Sequence, residues 1–483
     1  MVGKKYRLTV EALESREVLS GGSLQISDTD PFLGNTADNP LTQPGVYYAH
    51  SQVEPSVAAN PVRSNNLVAV WQQDRWSTAG ARGVVVGVTN DAGKHWSEVP
   101  LPGVTRTTGG AFLRATDPWV SFAPNGDVYA TVLAYDPADA SDPLRQYPFD
   151  DTRSAILVSK STDGGRTWGA PATLIDDTNP GLIAGHPGLV FNDKEAVTVD
   201  PNNPRNVFVV WTRINYDFVT GEFHGPTYFT RSTDAGKTWE AARPIYDPGS
   251  FAQTIGNQLA VLPDGTLVNV FAEGSEASKY GNFAVIRSTD HGRTWSAASV
   301  IATGAALALN DPETGVPIRS GDTMPSIAAD PRTGALYVVF QGLELTDGTR
   351  LDGILLSNST DVGKSWSKPV AINKTPQNLP AANRQAFDPS VKVAADGTVA
   401  VTYYDLQNNT QAPGLATDYW AVFADPRDRH NAPGGVMNPA NWGREVRLTN
   451  RSFDLEAAPQ STNENGGYFL GDYQGLTVSG NRF

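Results

Sequence analysis

The sequence predicts an all-β chain, a β-propeller of four-stranded units, and two recurring patterns predict it. The first is an eight-residue turn. Residues 161–168 read STDGGRTW, and the pattern returns at 232–239 (STDAGKTW), 288–295 (STDHGRTW), 359–366 (STDVGKSW) and, more weakly, 89–96 (TNDAGKHW). Each copy stands between short apolar runs, for example Ala155-Ile156-Leu157-Val158 before it and Ala172-Thr173-Leu174-Ile175 after it, which is the signature of a hairpin. The second pattern is also strand, turn, strand. It reads EPSVAANPVRSNNLVAVW (54–71), DPWVSFAPNGDVYATVLAY (117–135), KEAVTVDPNNPRNVFVVW (194–211), GNQLAVLPDGTLVNVF (256–271), MPSIAADPRTGALYVVF (324–340) and DPSVKVAADGTVAVTYY (388–404). Its turns carry Asn-Pro, Asn-Gly, Asp-Gly or Asp-Pro, as hairpins require.

Residue chemistry explains the eight-residue turn. Gly165, Gly236, Gly292 and Gly363 can take the positive φ of a tight turn. Asp91, Asp163, Asp234, Asp290 and Asp361 can accept backbone N–H bonds across it. Trp96, Trp168, Trp239, Trp295 and Trp366 bring a large apolar ring to the hairpin base, where it can wedge into a core. The aspartates recur at intervals of 72, 71, 56 and 71 residues. Four-stranded propeller units typically repeat every 40–50 residues or so, so these units carry loop insertions.

Joining the two patterns gives six units, at about 54–99, 117–175, 194–246, 256–301, 324–372 and 388–449. The sixth lacks the eight-residue turn; residues 424–443 replace it, with Trp442 in the place of its Trp. A seventh first strand is expected within 468–483. Residues 23–30 resemble the end of a fourth strand and would complete a split seventh unit; the alternative is a closed ring of six. Residues 23–483 then form one domain.

Composition limits the functions open to the chain. Hydrophobic residues make up 40% and charged residues 18%, as in a globular protein, and the net charge of −14 argues against nucleic acid and anionic membranes as partners. No apolar run is long enough to span a membrane. There is no cysteine, so no disulfide framework and no thiolate metal site. The six histidines, His50, His95, His186, His224, His291 and His430, are not paired at metal-ligand spacing. A monomer is expected, with no required cofactor.

The eight-residue pattern resembles the Asp box, or BNR repeat, of sialidases and related β-propellers. In those families the box is structural, which implies fold-marking aspartates here. Residues 1–22 begin with Lys4, Lys5 and Arg7 but lack the apolar core of an ordinary secretory signal. LTVEALESREVLS resembles the leader of large exported proteins of planctomycete-like bacteria, which implies an extracellular or cell-envelope location; a plain N-terminal tail is the other reading.

Candidate site residues gather where the first strands begin, on the face opposite the box turns. Glu54, Asp117, Asp388 and Asp472 fall at equivalent places, with Asp193, Glu195 and Asp322 within two residues of that place; the fourth unit, Gly256-Asn257-Gln258, lacks an acid. Arg75, Arg82, Arg114, Arg213, Arg319, Arg350 and Arg384 lie in the loops of the same face, and Asp74 and Tyr473 stand beside them. Two readings stay open. The acids cap strands and pair with the arginines, or they line a polar funnel for a glycan, another small polar ligand, or Ca²⁺.

The sialidase resemblance implies an arginine triad, a Tyr nucleophile activated by Glu, and an Asp acid/base. The family's first arginine sits in a Phe/Tyr-Arg-Ile-Pro motif, where this chain has Val53-Glu54-Pro55-Ser56. A carboxylate there repels an anionic sugar. Residues 72–75 partly resemble the segment after the next strand, and Arg213, Arg319, Arg384 and Tyr473 are further candidates. The expectation is a glycan-acting propeller, a hydrolase or lyase other than a standard exo-sialidase, or a non-catalytic carbohydrate-, cation- or protein-binding scaffold.

Overall fold

Six antiparallel four-stranded units follow one another along the chain. The computed structural model describes residues 24–27, 30–137, 152–178, 188–276, 281–304, 309–346, 349–428, 430–462 and 466–483. The leader at 1–22, Ser23 and His186 lie outside them. The chain is all β. Helix among the described residues is limited to short 3₁₀ turns such as Ala381–Arg384.

The first strands are Tyr47–Ala59, Arg114–Phe122, Gly188–Val199, Ala252–Val261, Ser326–Ala329 and Ala386–Val393. Each pairs with the next strand of its unit, and the third and fourth follow outward; in unit two the order is Arg114–Phe122, Val128–Asp136, Arg153–Ser161, Ala172–Thr178. First strands of consecutive units pack side by side in chain order. The sheets are open, none closing on itself.

Apolar side chains on both faces of the inner strands make the cores between units. Val68, Val86, Ala130 and Leu157 share the core between units one and two, and the rings of Trp168, Trp239, Trp295 and Trp366 each pack into the core shared with the preceding unit. Trp442 takes that role in unit six, buried with Tyr337, Val339 and Val422. Its indole N–H donates to Val436 O at 2.8 Å, in place of the box glycine carbonyl that Trp168 uses at 2.9 Å.

The box turns follow their residue chemistry. Asp163 Oδ1 accepts from Thr167 N at 3.0 Å and from the Ser161 hydroxyl at 2.8 Å, while Ser161 Oγ accepts from Gly165 N at 2.9 Å. The same bonds recur around Asp91, Asp234, Asp290 and Asp361. Two consecutive residues are left-handed, not the glycine alone: Gly164 and Gly165, Ala235 and Gly236, His291 and Gly292, Val362 and Gly363.

The expected seventh strand does not form. Gly467–Phe469 is a strand, but it joins a small sheet by pairing in parallel with Pro317–Arg319. Residues 470–478 have no ladder of their own and lie against the first strand of unit one: Gly475 abuts Val57 and Pro55, and Ala59 N donates to Thr477 Oγ1 at 3.0 Å. The same segment reaches unit six, where Ala395 N donates to Gly480 O at 2.9 Å and the Phe423 and Phe483 rings lie 5.6 Å apart. Residues 24–27 are likewise not a strand. Ile26 and Phe32 cover the outer part of the same face of unit one, against Trp71 and Val85. The C-terminal segment therefore bridges units one and six without a sheet, while the N-terminal segment covers unit one.

Candidate functional site

The acids expected to precede the first strands sit inside them. In five units the first strand carries a bulge: Glu54-Pro55, Asp117-Pro118, Lys194-Glu195, Gly256-Asn257 and Asp388-Pro389 each oppose one residue of the second strand. The first residue of each pair has positive φ: Glu54 +53°, Asp117 +52°, Lys194 +55°, Gly256 +68° and Asp388 +51°. That conformation suits Gly256 and strains the others, and it turns their side chains out of the pleat. The acids are therefore not strand caps. The unit-three equivalent is Lys194, not Asp193 or Glu195, and unit five has Met324 there.

Lys194 is the centre the sequence reading missed. Its ammonium lies 2.8 Å from Glu54 Oε1, 2.5 Å from Asp117 Oδ1 and 2.7 Å from Asp472 Oδ2. Asp472 also takes both arms of Arg319, at 2.9 and 2.6 Å. Gln72 Nε2 donates to Glu54 Oε2 and, at 2.8 Å, meets Thr116 Oγ1; its own Oε1 accepts from Arg75 at 3.0 Å. The guanidinium groups of Arg75 and Arg319 both stack on Phe469, 4.1 and 4.8 Å from its centroid. The cluster excludes solvent: Glu54 is 1% exposed, Asp117 3%, Asp472 6% and Lys194 9%.

Burial and neighbouring charge set the protonation states. Burial, with the Asp117 charge beside it, pushes the Glu54 carboxyl up to about 7. Burial acts on Asp472 too, but Lys194 and Arg319 outweigh it and hold that carboxyl well below its usual range. Burial alone would lower Lys194; Asp117, Asp472 and Glu54 raise it well above the ordinary lysine value. Glu195, 2% exposed beside Asp117, has no hydrogen-bond partner on either carboxyl oxygen among the described residues, and burial drives it far up. Asp388 is raised for the same reason; its Oδ1 accepts from Gly321 N at 2.5 Å, with Asp322 adding charge nearby. Burial thus favours the neutral form of both Glu195 and Asp388.

Of the other candidates, Asp74, Arg82, Arg114, Arg213, Arg384 and Arg350 are not brought to this cluster. Asp74 fixes the start of unit one, accepting from Tyr47 OH at 2.8 Å, His50 N at 2.9 Å and Gln73 Nε2 at 2.9 Å. Arg82 holds the N-terminal segment through Asp38 at 2.7 Å and the carbonyls of Phe32 and Asn35, and Arg114 does so through Pro44 O at 2.7 Å. Arg213 forms a bidentate pair with Asp177, both arms at 2.8 Å. Arg384 is buried on Gln377, and Arg350 is exposed. Tyr473 does reach the cluster, but its hydroxyl donates to Pro118 O at 3.0 Å and its ring packs 5.1 Å from Trp119. Burial, with Glu54 nearby, keeps that phenol far from ionisation. What the cluster can do chemically is lock: one ammonium and one guanidinium satisfy three carboxylates with no open face.

Repeated antiparallel units with Asp-box turns and a tryptophan at each unit interface define a class of all-β repeat proteins. The chain belongs to the BNR repeat-like domain family, whose profile matches residues 154–410. A search of curated proteins finds no match. Among solved structures, the chain is similar to the Hadza microbial sialidase Hz136 at 17% identity and a TM-score of 0.44, over 73% of this chain and 64% of that one, a little under two thirds of its length. It is similar to the GH93 α-L-arabinofuranosidase of Fusarium graminearum at 14% identity and a TM-score of 0.45, over 76% and 90%. It is also similar to the Trypanosoma rangeli sialidase at 17% identity and a TM-score of 0.43, over 78% and 54%.

Proposed function

We propose that this chain is a six-bladed, sialidase-like β-propeller that binds a glycan or another small polar ligand on its top face and does not perform the sialidase reaction. One observation carries the reading: Lys194 fills the space among Glu54, Asp117 and Asp472 where an anionic sugar would need an open cationic pocket. The seam bridged by the C-terminal segment supports six blades over seven. Lys194 also supplies the positive charge that three converging carboxylates would otherwise take from Ca²⁺, so no cation is needed there.

For binding, the top loops of units three and four offer an aromatic platform. Tyr216 pairs across strands with Phe223; Phe218 lies 5.0 Å from Tyr216, and Phe251 lies 6.2 Å from Phe223. Phe251 is 38% exposed. Partly exposed rings accept the apolar face of a sugar, and the neighbouring His224–Asp247 pair, at 2.6 Å, supplies polar contacts. The leader-like residues 1–22 support export to the cell envelope or beyond.

The test is a hydrolysis assay with fluorogenic α-sialosides and α-L-arabinofuranosides beside a glycan-array binding screen. Binding that weakens in Phe251→Ala, with no turnover, is the expected result. Turnover at ordinary enzyme rates, roughly 1–1000 per second, would overturn the reading.

A further inference from the structure

A cavity of about 290 Å³ runs down the centre of the molecule, walled by the first strands of all six units and by Thr477 of the C-terminal segment. Its lining begins at Val57 and Trp119, just past the Lys194 cluster, and extends to Pro61, Pro124 and Pro201 in the turns after the first strands. The charged cluster thus closes one end, and the other faces the box turns.

Lys392 is the one charged residue in this lining, and no carboxylate lines it. It sits in Ala386–Val393, where Val391 and Val393 pack into the core shared with unit five, so the alternation of the strand turns Lys392 to the opposite side. Among the described residues Lys392 makes no hydrogen bond and no ion pair, and burial with no compensating charge pulls it below the ordinary lysine value. In a chain of net charge −14, a lone half-buried ammonium in the channel is conspicuous.

Two hydroxyls of the same lining also have protons to give. Ser121 Oγ accepts from Val199 N at 3.1 Å and Thr477 Oγ1 accepts from Ala59 N at 3.0 Å, which leaves each hydroxyl proton available. A lining whose one charge is a cation, and which has hydroxyl protons to offer, calls for an anion. The remaining wall mixes the apolar Val197, Leu259 and Ile327 with the polar Thr198 and Gln258, and the Thr198 hydroxyl is already spent on Leu259 O at 3.0 Å. One cation in a space of this size suits a monoanion with an apolar body, not a polyphosphate.

We infer that the central channel binds a small organic carboxylate, its carboxyl group on Lys392 and its apolar part against the strand walls. This site is separate from the top-face platform, so either can fail alone.

Benzoate is the probe and benzyl alcohol its uncharged control. The full chain is reductively methylated with ¹³C-formaldehyde and its dimethyl-lysine resonances are followed by NMR. Benzoate should shift one resonance saturably, benzyl alcohol should not, and Lys392→Met should lack that resonance and bind benzoate at least about tenfold more weakly. Lys392→Arg, which keeps the charge, should retain binding. If Lys392→Met fails to fold, thermal shifts of the unaltered protein decide: benzoate must raise the melting temperature saturably and benzyl alcohol must not. The inference is overturned if benzoate shifts no lysine, if Lys392→Met binds it as well as the original chain, or if benzyl alcohol does as well.

Discussion

Lys194 Nζ and Glu54 Oε1 stand 2.8 Å apart although 140 residues separate them in the chain. With Asp117 and Asp472 on the same ammonium, this contact ties units one, two and three to the C-terminal segment. It also explains the strained bulges. A left-handed Glu54, Asp117 or Lys194 costs of order 1–3 kcal/mol, and that conformation persists because each side chain reaches the common centre.

Removing the cation should therefore be severe. Lys194→Met leaves Glu54 and Asp117 buried without their counter-charge and Asp472 with Arg319 alone, and breaking a buried ion pair from one side costs about 3–5 kcal/mol. Urea denaturation should show a loss of that size. A change under about 0.5 kcal/mol, the range of an ordinary surface substitution, would mean that the cluster does not hold the units together.

Glu54 gives the cluster a pH signature. Its folded-state value is raised to about 7, so the folded protein holds this proton more tightly than the unfolded chain does. The contribution is complete below the unfolded value of roughly 4.3 and is lost as pH rises through about 7. Glu54→Gln keeps the neutral shape and cannot ionise. Urea unfolding at intervals across this window should show a shallower decline with pH in the variant than in the original chain; parallel profiles would refute the assignment.

The sequence made the units legible because both hairpins announce themselves, one by Asp, Gly and Trp and the other by turn dipeptides between Val-rich runs. It did not make the bulges legible. Glu54-Pro55 and Asp117-Pro118 look like the residues before a strand, since Pro donates no ladder bond, yet Tyr47–Ala59 and Arg114–Phe122 run through them. Lys194 was hidden for a related reason. Its register with Glu54 is visible in KEAV against EPSV, but the flanking carboxylates Asp193 and Glu195 match the acids of the other units by residue type. The arginines were harder still. Nothing local shows that Arg82 and Arg114 hold the N-terminal segment while Arg319 meets Asp472, because those partners lie 44, 70 and 153 residues away.

The box aspartates should affect stability alone. Asp163→Ala removes the acceptor for Thr167 N and for the hydroxyls of Ser161 and Thr167. Leaving such groups unpaired costs about 1–3 kcal/mol, read as a lower melting temperature. Ligand binding on the opposite face should not change. A variant with its melting temperature intact and its binding lost would make the box a site.

The seam between units one and six can be tested with two equivalent glycines. Gly165 and Gly93 close the boxes of units two and one at φ +93° and +87°, so alanine meets similar backbone strain at both, of order 1–2 kcal/mol. Their surroundings differ. A Cβ on Gly165 would lie 2.6 Å from Val68 of the preceding unit, whereas on Gly93 it would meet nothing nearer than Trp96 Nε1 at 3.9 Å. Among the described residues no side chain of another unit presses on that turn. Overpacking adds typically 1–3 kcal/mol, so Gly165→Ala should destabilise more than Gly93→Ala by about that amount in matched thermal or urea unfolding. Equal losses would show that the turn of unit one is pressed by a neighbour as tightly as that of unit two, and the seam would not be as described.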